Sequence, residues 1–386
     1  MKKKLGRTIK MRFPEALQQK LSQRKQERAL RVLQTHNPNL IDFSTNDYLG
    51  FSTSEAIGEL TAQKLSSYAT KKSGSTGSRL LTGNYPMIED FEAYLASCYN
   101  AEAGTVFNSG YDANLGLLSS VAQRQDLILY DELCHASIRD GVALSKAKSY
   151  KFQHNNLEEL EQKLINFRSQ FKTIYVVTEH VFSMDGDSAD VAQLSSLCED
   201  YDAFLILDEA HSIGTISQRG FFNNTSFARI ITFGKAFGGH GAVILGQQEL
   251  KHFLINFAKS FIYTTAPSTE STARNWAAHL YFESSEVEFE ALRANIKCFQ
   301  SQIKTNQLSR FFIESDSAIQ SCVIGGNEKV KTISNQLQQE GFDVRPILSP
   351  TVPKGKERLR FCLHSFNTIE EIRLVMLILA KLLILK

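Results

Sequence analysis

A lysine set among small and aromatic residues, Thr232-Phe233-Gly234-Lys235-Ala236-Phe237-Gly238-Gly239, lies 27 residues after Asp208-Glu209-Ala210-His211, which closes an apolar run. These residue types suit one chemistry. A lysine amine forms a Schiff base with an aldehyde, an aspartate at a strand end keeps a pyridine nitrogen protonated, and a histidine three residues on can face the same ring. The pairing predicts a pyridoxal phosphate site.

Asp-Glu-Ala-His is also the magnesium motif of nucleotide-driven helicases. That reading needs a phosphate-cradling G-x-x-x-x-G-K-[ST] loop elsewhere. The only candidate, around Gly234-Lys235, has Arg229 in place of the first glycine and Ala236 in place of Ser/Thr. With no hydroxyl for the metal, the helicase reading is set aside.

Other residues point the same way. Gly74, Gly77 and Gly83 punctuate the segment 73–84, a density that lets backbone approach a ligand, although a glycine-serine loop also reads as a plain loop. Asn108-Ser109-Gly110-Tyr111 follows a predicted strand and opens a helical pattern, whose free N–H groups suit an anion. A simple cap by Asn108 or Ser109 explains the same residues. A lone histidine is more often structural than functional, and a strand-end aspartate often caps the next helix. Here His135, Ser183 and His211 each follow a different predicted strand, at the end where open α/β sheets gather ligands, and Lys235 follows the next.

The elements that must position these residues are legible as short apolar runs: Thr105-Val106-Phe107, Leu127 to Tyr130, Thr173 to Val177, Phe204 to Leu207, Ile230 to Thr232 and Ala242 to Leu245. Helical patterns such as Leu157 to Phe167 and Val191 to Asp200 separate them, as in a mainly parallel sheet covered on both faces. The predicted organisation is an N-terminal helical arm (1–45), a doubly wound α/β domain (46–280) and a smaller α+β domain (281–386). A polar helix is expected from Pro14 to about Gln34, a short strand at Leu40 to Phe43, and a long polar helix from about Tyr281 to Asn306. Strands are expected near Ala318 to Ile324 and Glu357 to Leu363, then a helix starting at Thr368 with Glu371 completing a capping box. No internal repeat or low-complexity tract appears.

Composition narrows the class. At 42% hydrophobic and 22% charged residues with a net charge of +2, the chain reads as a globular protein with no global pull toward nucleic acid. The basic run Met1 to Arg12 has no apolar core behind it and reads as a solvated leader. Leu374 to Leu385 is shorter than the roughly 18 to 20 residues of a membrane span and contains Lys381, so a buried C-terminal helix is expected. Six scattered cysteines form no C-x-x-C and no metal-ligand spacing, which predicts no metal site, no disulfide framework and a reducing, cytoplasmic compartment.

Longer strings make the reading specific. NDYLG at 46–50, GSTGSRLLTGN at 74–84, FNSGYDAN at 107–114, DELCHASI at 131–138, VFSMDGD at 181–187, DEAHSIG at 208–214, TFGKAFG at 232–238 and PTVPKGKERLRF at 350–361 occur in that order. This series resembles the α-oxoamine synthases, within the fold type I pyridoxal phosphate enzymes, along nearly the whole chain. The resemblance implies that Lys235 holds the cofactor and moves the amino-acid Cα proton, Asp208 faces the pyridine nitrogen, and His135 stacks on the ring. It implies that His211 and Ser183 lie near the phenolic oxygen, and that Gly110, Tyr111 and Thr232 bind the phosphate. Thr264 and Thr265 resemble the stretch that reaches the phosphate from the other subunit of a homodimer. Arg360 matches the arginine that holds the amino-acid carboxylate, while Arg31 and Thr351 match further substrate contacts, although Arg31 also reads as a solvated helix residue and Thr351 as a turn residue.

NDYLG, SRLLTGN and PTVP look most like the branch that condenses L-alanine with a pimeloyl thioester, on coenzyme A or acyl carrier protein, in biotin biosynthesis. Glycine with acetyl-CoA and serine with a long-chain acyl-CoA are the alternatives within the family. A cofactor-binding or nucleotide-dependent module without this catalysis is the alternative outside it. Two departures stand out: Leu348 occupies a position where an arginine is expected, and His180 replaces a small residue.

Overall fold

The computed structural model describes residues 13–27, 29–33, 35, 37–69, 73–218 and 226–384, so the basic leader and Gln34 lie outside the described residues. The first strand, β1 (Ile41–Asp42), is followed by β2 (Ala103–Phe107), β3 (Leu127–Asp131), β4 (Lys148–Phe152), β5 (Ile174–Glu179), β6 (Phe204–Asp208), β7 (Ser226–Thr232) and β8 (Ala242–Gly246). All but β1 form one seven-stranded sheet in the order β2-β8-β7-β6-β5-β3-β4. Six of these strands contain the apolar runs. The seventh, β4, carries no such signal because it is an edge: its first four residues, Lys-Ser-Tyr-Lys, are exposed, and its lysines discourage pairing with another chain.

The sheet is α/β as expected, but mixed. Strands β3 to β7 run parallel, whereas β8 is antiparallel to both β7 and β2. The cause is the connection. Residues 233–241, which include the lysine loop, are too few for a helical crossover, so the chain must return antiparallel. Because β8 reverses twice against its neighbours, β2 still points the same way as β3 to β7.

Helices cover both faces. Gly110–Val121, Ala136–Leu144 and Gln248–Phe257 bury Leu117, Leu118, Ile138 and Leu254 against one face. Leu157–Phe167 and Val191–Asp200 bury Leu160, Leu164 and Leu194 against the other.

The C-terminal part is a smaller α+β unit. Strands β9 (Ile319–Val323), β10 (Phe342–Asp343), β11 (Arg345–Ile347) and β12 (Arg358–Cys362) form two small sheets with the helices Val287–Thr305, Asn327–Gln339 and Ile369–Ile384. In one sheet β12 lies between β11 and β9, antiparallel to both. In the other, β1 pairs parallel with β10, Ile41 opposite Phe342 and Asp42 opposite Asp343, so the expected N-terminal strand is built into the C-terminal unit.

Three helices differ from expectation. The first, Glu15–Gln26, stops well before Gln34; it buries none of its residues, and the chain turns with the Ala29 N–H on the Arg24 carbonyl at 2.8 Å. The expected helix from Tyr281 to Asn306 is two, Thr269–Ser284 and Val287–Thr305, separated where Ser285 is extended. The last helix begins as expected, with the Thr368 N–H donating to Glu371 at 2.8 Å and the Glu371 N–H to the Thr368 hydroxyl at 3.2 Å. Only one face of it is buried, through Ile372, Val375, Met376 and Leu379, while Leu374 and Leu377 remain about half exposed at 49% and 45%. Among the described residues no helix is long and apolar enough to cross a membrane, and no cluster of His, Cys, Asp and Glu suits a metal ion.

Candidate active site

Parallel strands bring their C-terminal ends to one edge, and the residues singled out by type follow those ends. Asp208 closes β6, Thr232 closes β7, and His135, Ser183 and Lys235 lie in the segments after β3, β5 and β7. In the register of β5 and β6, Glu179 stands directly beside Asp208. Sequence reasoning missed Glu179. The signal was its place at the end of an apolar run, but its neighbour is fixed only by strand pairing.

Charge at this edge is tightly held. Asp208 is nearly buried, with one carboxylate oxygen accepting the Ala210 N–H at 2.9 Å and the other the Asn114 side-chain N–H at 2.7 Å. Glu179 is buried too, and accepts the His135 backbone N–H at 2.6 Å. Burial pushes the Glu179 carboxyl up to about 8, with the Asp208 charge adding to the effect. Lys235 is moved the other way. Burial lowers its amine to about 8, against the opposing pull of Asp208 and Glu179. An amine poised there is a usable nucleophile and proton acceptor near neutral pH.

Two histidines, His135 and His211, are shifted toward the neutral imidazole by the same physics. His135 caps the helix Ala136–Leu144, its Nδ1 lies 2.8 Å from the Ser137 hydroxyl, and burial lowers its pKa. His211 is deeper, its Nδ1 2.7 Å from the Tyr48 hydroxyl, and burial holds it well below the usual histidine range. Tyr48 and Asn46 belong to the NDYLG string, and Asn114 to FNSGYDAN, yet none of the three is assigned a role by its sequence context alone.

Gly110 and Tyr111 begin the helix Gly110–Val121, where no carbonyl lies a turn back to take their N–H groups. A Cβ at Gly110 would stand 3.7 Å from the Thr232 side chain, so the glycine leaves a cradle between helix start and hydroxyl. The Tyr111 hydroxyl is turned away to Asp140. Thr264 and Thr265 meet Asn108 of their own chain, which donates to the Thr264 hydroxyl at 3.0 Å and the Thr265 carbonyl at 2.9 Å. The glycine-rich loop lies beside them, its Gly77 carbonyl accepting the Ala266 N–H at 2.9 Å.

On the other side stands Arg360, buried on β12. Its Nε donates to the Ser183 carbonyl at 2.7 Å, and one terminal nitrogen donates to Asn46 at 3.0 Å. The other lies 2.9 Å from the Cys362 sulfur. Arg31 donates to the Thr351 hydroxyl at 3.0 Å, which brings the two remaining candidates for substrate contact together. Of the departures, His180 points its Nδ1 toward Glu209 at 3.8 Å, and Glu209 is already paired with Arg229 at 2.6 Å. Leu348 packs against the core of the C-terminal unit.

A cavity of about 650 Å³ opens between the two units, bordered by His135 and Ser183 on one side and by Phe311, Thr351 and Arg358 on the other. The donor set fits pyridoxal phosphate: an amine of lowered pKa, a buried carboxylate for the pyridine nitrogen, a neutral imidazole beside it, and a glycine-lined helix start with a hydroxyl for the phosphate.

Residues 38–374 match the family described as aminotransferase class I and II. The chain is 36% identical over 353 residues to an 8-amino-7-oxononanoate synthase from Haemophilus ducreyi, covering 87% of this chain and 90% of that protein. Among solved structures, an 8-amino-7-oxononanoate synthase from Francisella tularensis superimposes with a TM-score of 0.75 at 28% identity, covering 89% of this chain and 98% of the other. The same fold is seen in a serine palmitoyltransferase from S. paucimobilis, with a TM-score of 0.84 at 22% identity and coverage of 95% and 96%. The ordered motifs, the geometry at the strand ends and these relatives agree that the chain belongs to the α-oxoamine synthases, within the fold type I pyridoxal phosphate enzymes.

Proposed function

We propose that this protein is a pyridoxal phosphate-dependent acyltransferase that joins an amino acid to an acyl thioester, with release of CO2 and the free thiol. The observation that carries the reading is Lys235 under the influence of the two buried carboxylates Asp208 and Glu179, at the sheet edge whose His135 and Ser183 border a cavity large enough for an acyl chain. The cofactor, when bound, supplies an electron sink for the carbanion formed at the amino-acid Cα. Lys235 would hold it, and the same amine would carry the Cα proton. Asp208, oriented by Asn114 and Ala210, would keep the pyridine nitrogen protonated. His135, with its backbone fixed by Glu179, walls the cavity and would face the cofactor ring. His211 and Ser183 would hold the cofactor's phenolic oxygen, while the Gly110 and Tyr111 amides, with the Thr232 hydroxyl, would hold its phosphate. Arg360 receives the amino-acid carboxylate, a bidentate task for a guanidinium already aimed by the Ser183 carbonyl.

Two substrate pairs fit. L-Alanine with a pimeloyl thioester, giving 8-amino-7-oxononanoate for biotin, is supported by the names of the relatives above 25% identity and by NDYLG, SRLLTGN and PTVP. L-Serine with a long-chain acyl-CoA is favoured by the higher overlap with the palmitoyltransferase fold, by Leu348 in place of an arginine, and by the apolar wall of Phe311, Phe312, Ile313 and Val352. The thiol carrier of the pimeloyl group is coenzyme A or acyl carrier protein. The active assembly is a homodimer: Leu80, Leu81 and Tyr263 are exposed on adjoining segments, the glycine-rich loop and the stretch before Ala266.

Thiol release by the purified holoenzyme tests the reading. It is expected with L-alanine and pimeloyl-CoA or with L-serine and hexadecanoyl-CoA, and whichever pair is faster identifies the substrates. Release of thiol from neither pair, with no visible absorbance from added pyridoxal phosphate, would refute it.

A further inference from the structure

We infer that Arg310 determines acyl-chain specificity by taking an anionic group at the far end of the chain, a deepening of the alanine and pimeloyl reading on which it rests. Six charged side chains line the cavity: Glu132, Arg139, Asp185, Arg310, Lys356 and Arg358. Both carboxylates are already engaged. Glu132 faces Lys151 at 3.4 Å, and Asp185 pairs with Arg358. Arg139, Arg310 and Lys356 form no ion pair among the described residues, so the cavity carries an excess of positive charge over a largely apolar wall. Such a lining suits methylenes that end in a carboxylate better than a chain that is alkyl throughout.

The three cations are not equivalent. Arg139 lies one helical turn from His135, on the cofactor side, next to the Asp140 carboxylate that accepts the Tyr111 hydroxyl. Lys356 is a flexible point charge. Arg310 belongs to the opposite unit, in the turn Ser309–Phe311, with its guanidinium carbon 4.8 Å from the Phe311 ring centre. Stacking on that ring orients the planar fork and leaves its N–H donors free for a carboxylate. Leu348, partly buried against the core, offers no charge.

The test compares pimeloyl-CoA with heptanoyl-CoA, the same chain length without the carboxylate, with L-alanine as co-substrate of the holoenzyme. Arg310→Leu is expected to lower the ratio of kcat/KM for pimeloyl over heptanoyl thioester about tenfold, carried by KM because the contact is remote from the reacting carbon. Arg310→Lys should recover part of the ratio, and exposure of Arg310 leaves folding unaffected. An unchanged ratio overturns the inference, as does an equal loss on both thioesters, which would place Arg310 on the carrier's phosphates. Wild-type enzyme that prefers heptanoyl-CoA, or that accepts only serine with hexadecanoyl-CoA, would instead sink the pimeloyl reading itself, and the inference with it.

Discussion

Lys235 is the residue to which the proposed function gives the cofactor, and its environment makes a prediction about pH. Its amine is lowered to about 8 by burial, so the neutral form that attacks an aldehyde grows as pH rises through that value. Incorporation of pyridoxal phosphate into the apoenzyme, followed by visible absorbance from about pH 6.5 to about pH 9.5 (roughly one and a half units either side of the pKa), should accelerate with pH and level off above about 8. A rate that still climbs at pH 9.5 would mean an ordinary lysine. At this scale much was legible. Lys235, Asp208, His211 and His135 each announce themselves by following an apolar run, because a parallel sheet turns position after a strand into position at a site. Glu179 and Asn114 do not, since their roles depend on strand register and on which helix turn faces the sheet.

Elements decide how the loops at that edge are held. His154, just beyond β4, donates from Nδ1 to Asp131 at 3.0 Å and from Nε2 to Asp187 at 2.7 Å, and packs edge-on against Phe182. It therefore ties the end of β3 to the loop that carries Ser183. Burial by itself would lower its pKa, but the hydrogen bonds to Asp131 and Asp187 prevail and raise it to about 10. A histidine whose folded pKa is raised from 6.5 contributes stability that is fully present below the unfolded value and lost as pH rises through about 10. The difference in Tm between the parent and His154→Gln should accordingly shrink from pH 6 to pH 10, and a constant difference would show that the imidazolium is not the tie. Sequence could not reveal this, because β4 is an exposed edge without apolar signal. It also hid the reversal of β8, which follows from a short connection rather than from the residues of the strand. The capping box at Thr368 was readable because all its partners lie within one turn.

At the scale of the molecule, the loop after β5 is the bridge between units. Ser315 and Ser317 of the C-terminal unit donate to the Gly186 carbonyl at 2.7 and 2.8 Å, Ser321 donates to the Met184 carbonyl at 2.7 Å, and Arg360 donates to that of Ser183. Gly186 has φ of +83°, and a Cβ there would stand 2.2 Å from the Ile319 carbonyl, so only glycine lets the loop lie this close. Assembly is the next level. Leu81, 82% exposed, and Tyr263, 80% exposed, lie on adjoining segments, and under the proposed homodimer Leu81→Asp should shift a dimer toward monomer in light scattering while reducing turnover. A dimer that persists unchanged would locate the interface elsewhere. The pairing of β1 with β10 has a different consequence, for the order of events during synthesis. Ile41 leaves the ribosome about 300 residues before Phe342, an interval on the order of 15 to 60 s at ordinary elongation rates. Throughout that wait Phe43, fully buried in the finished protein, has no partner to cover it. The nascent chain thus carries an uncovered aromatic segment for most of its translation, a natural point of attachment for a chaperone and a reason for truncated chains to aggregate.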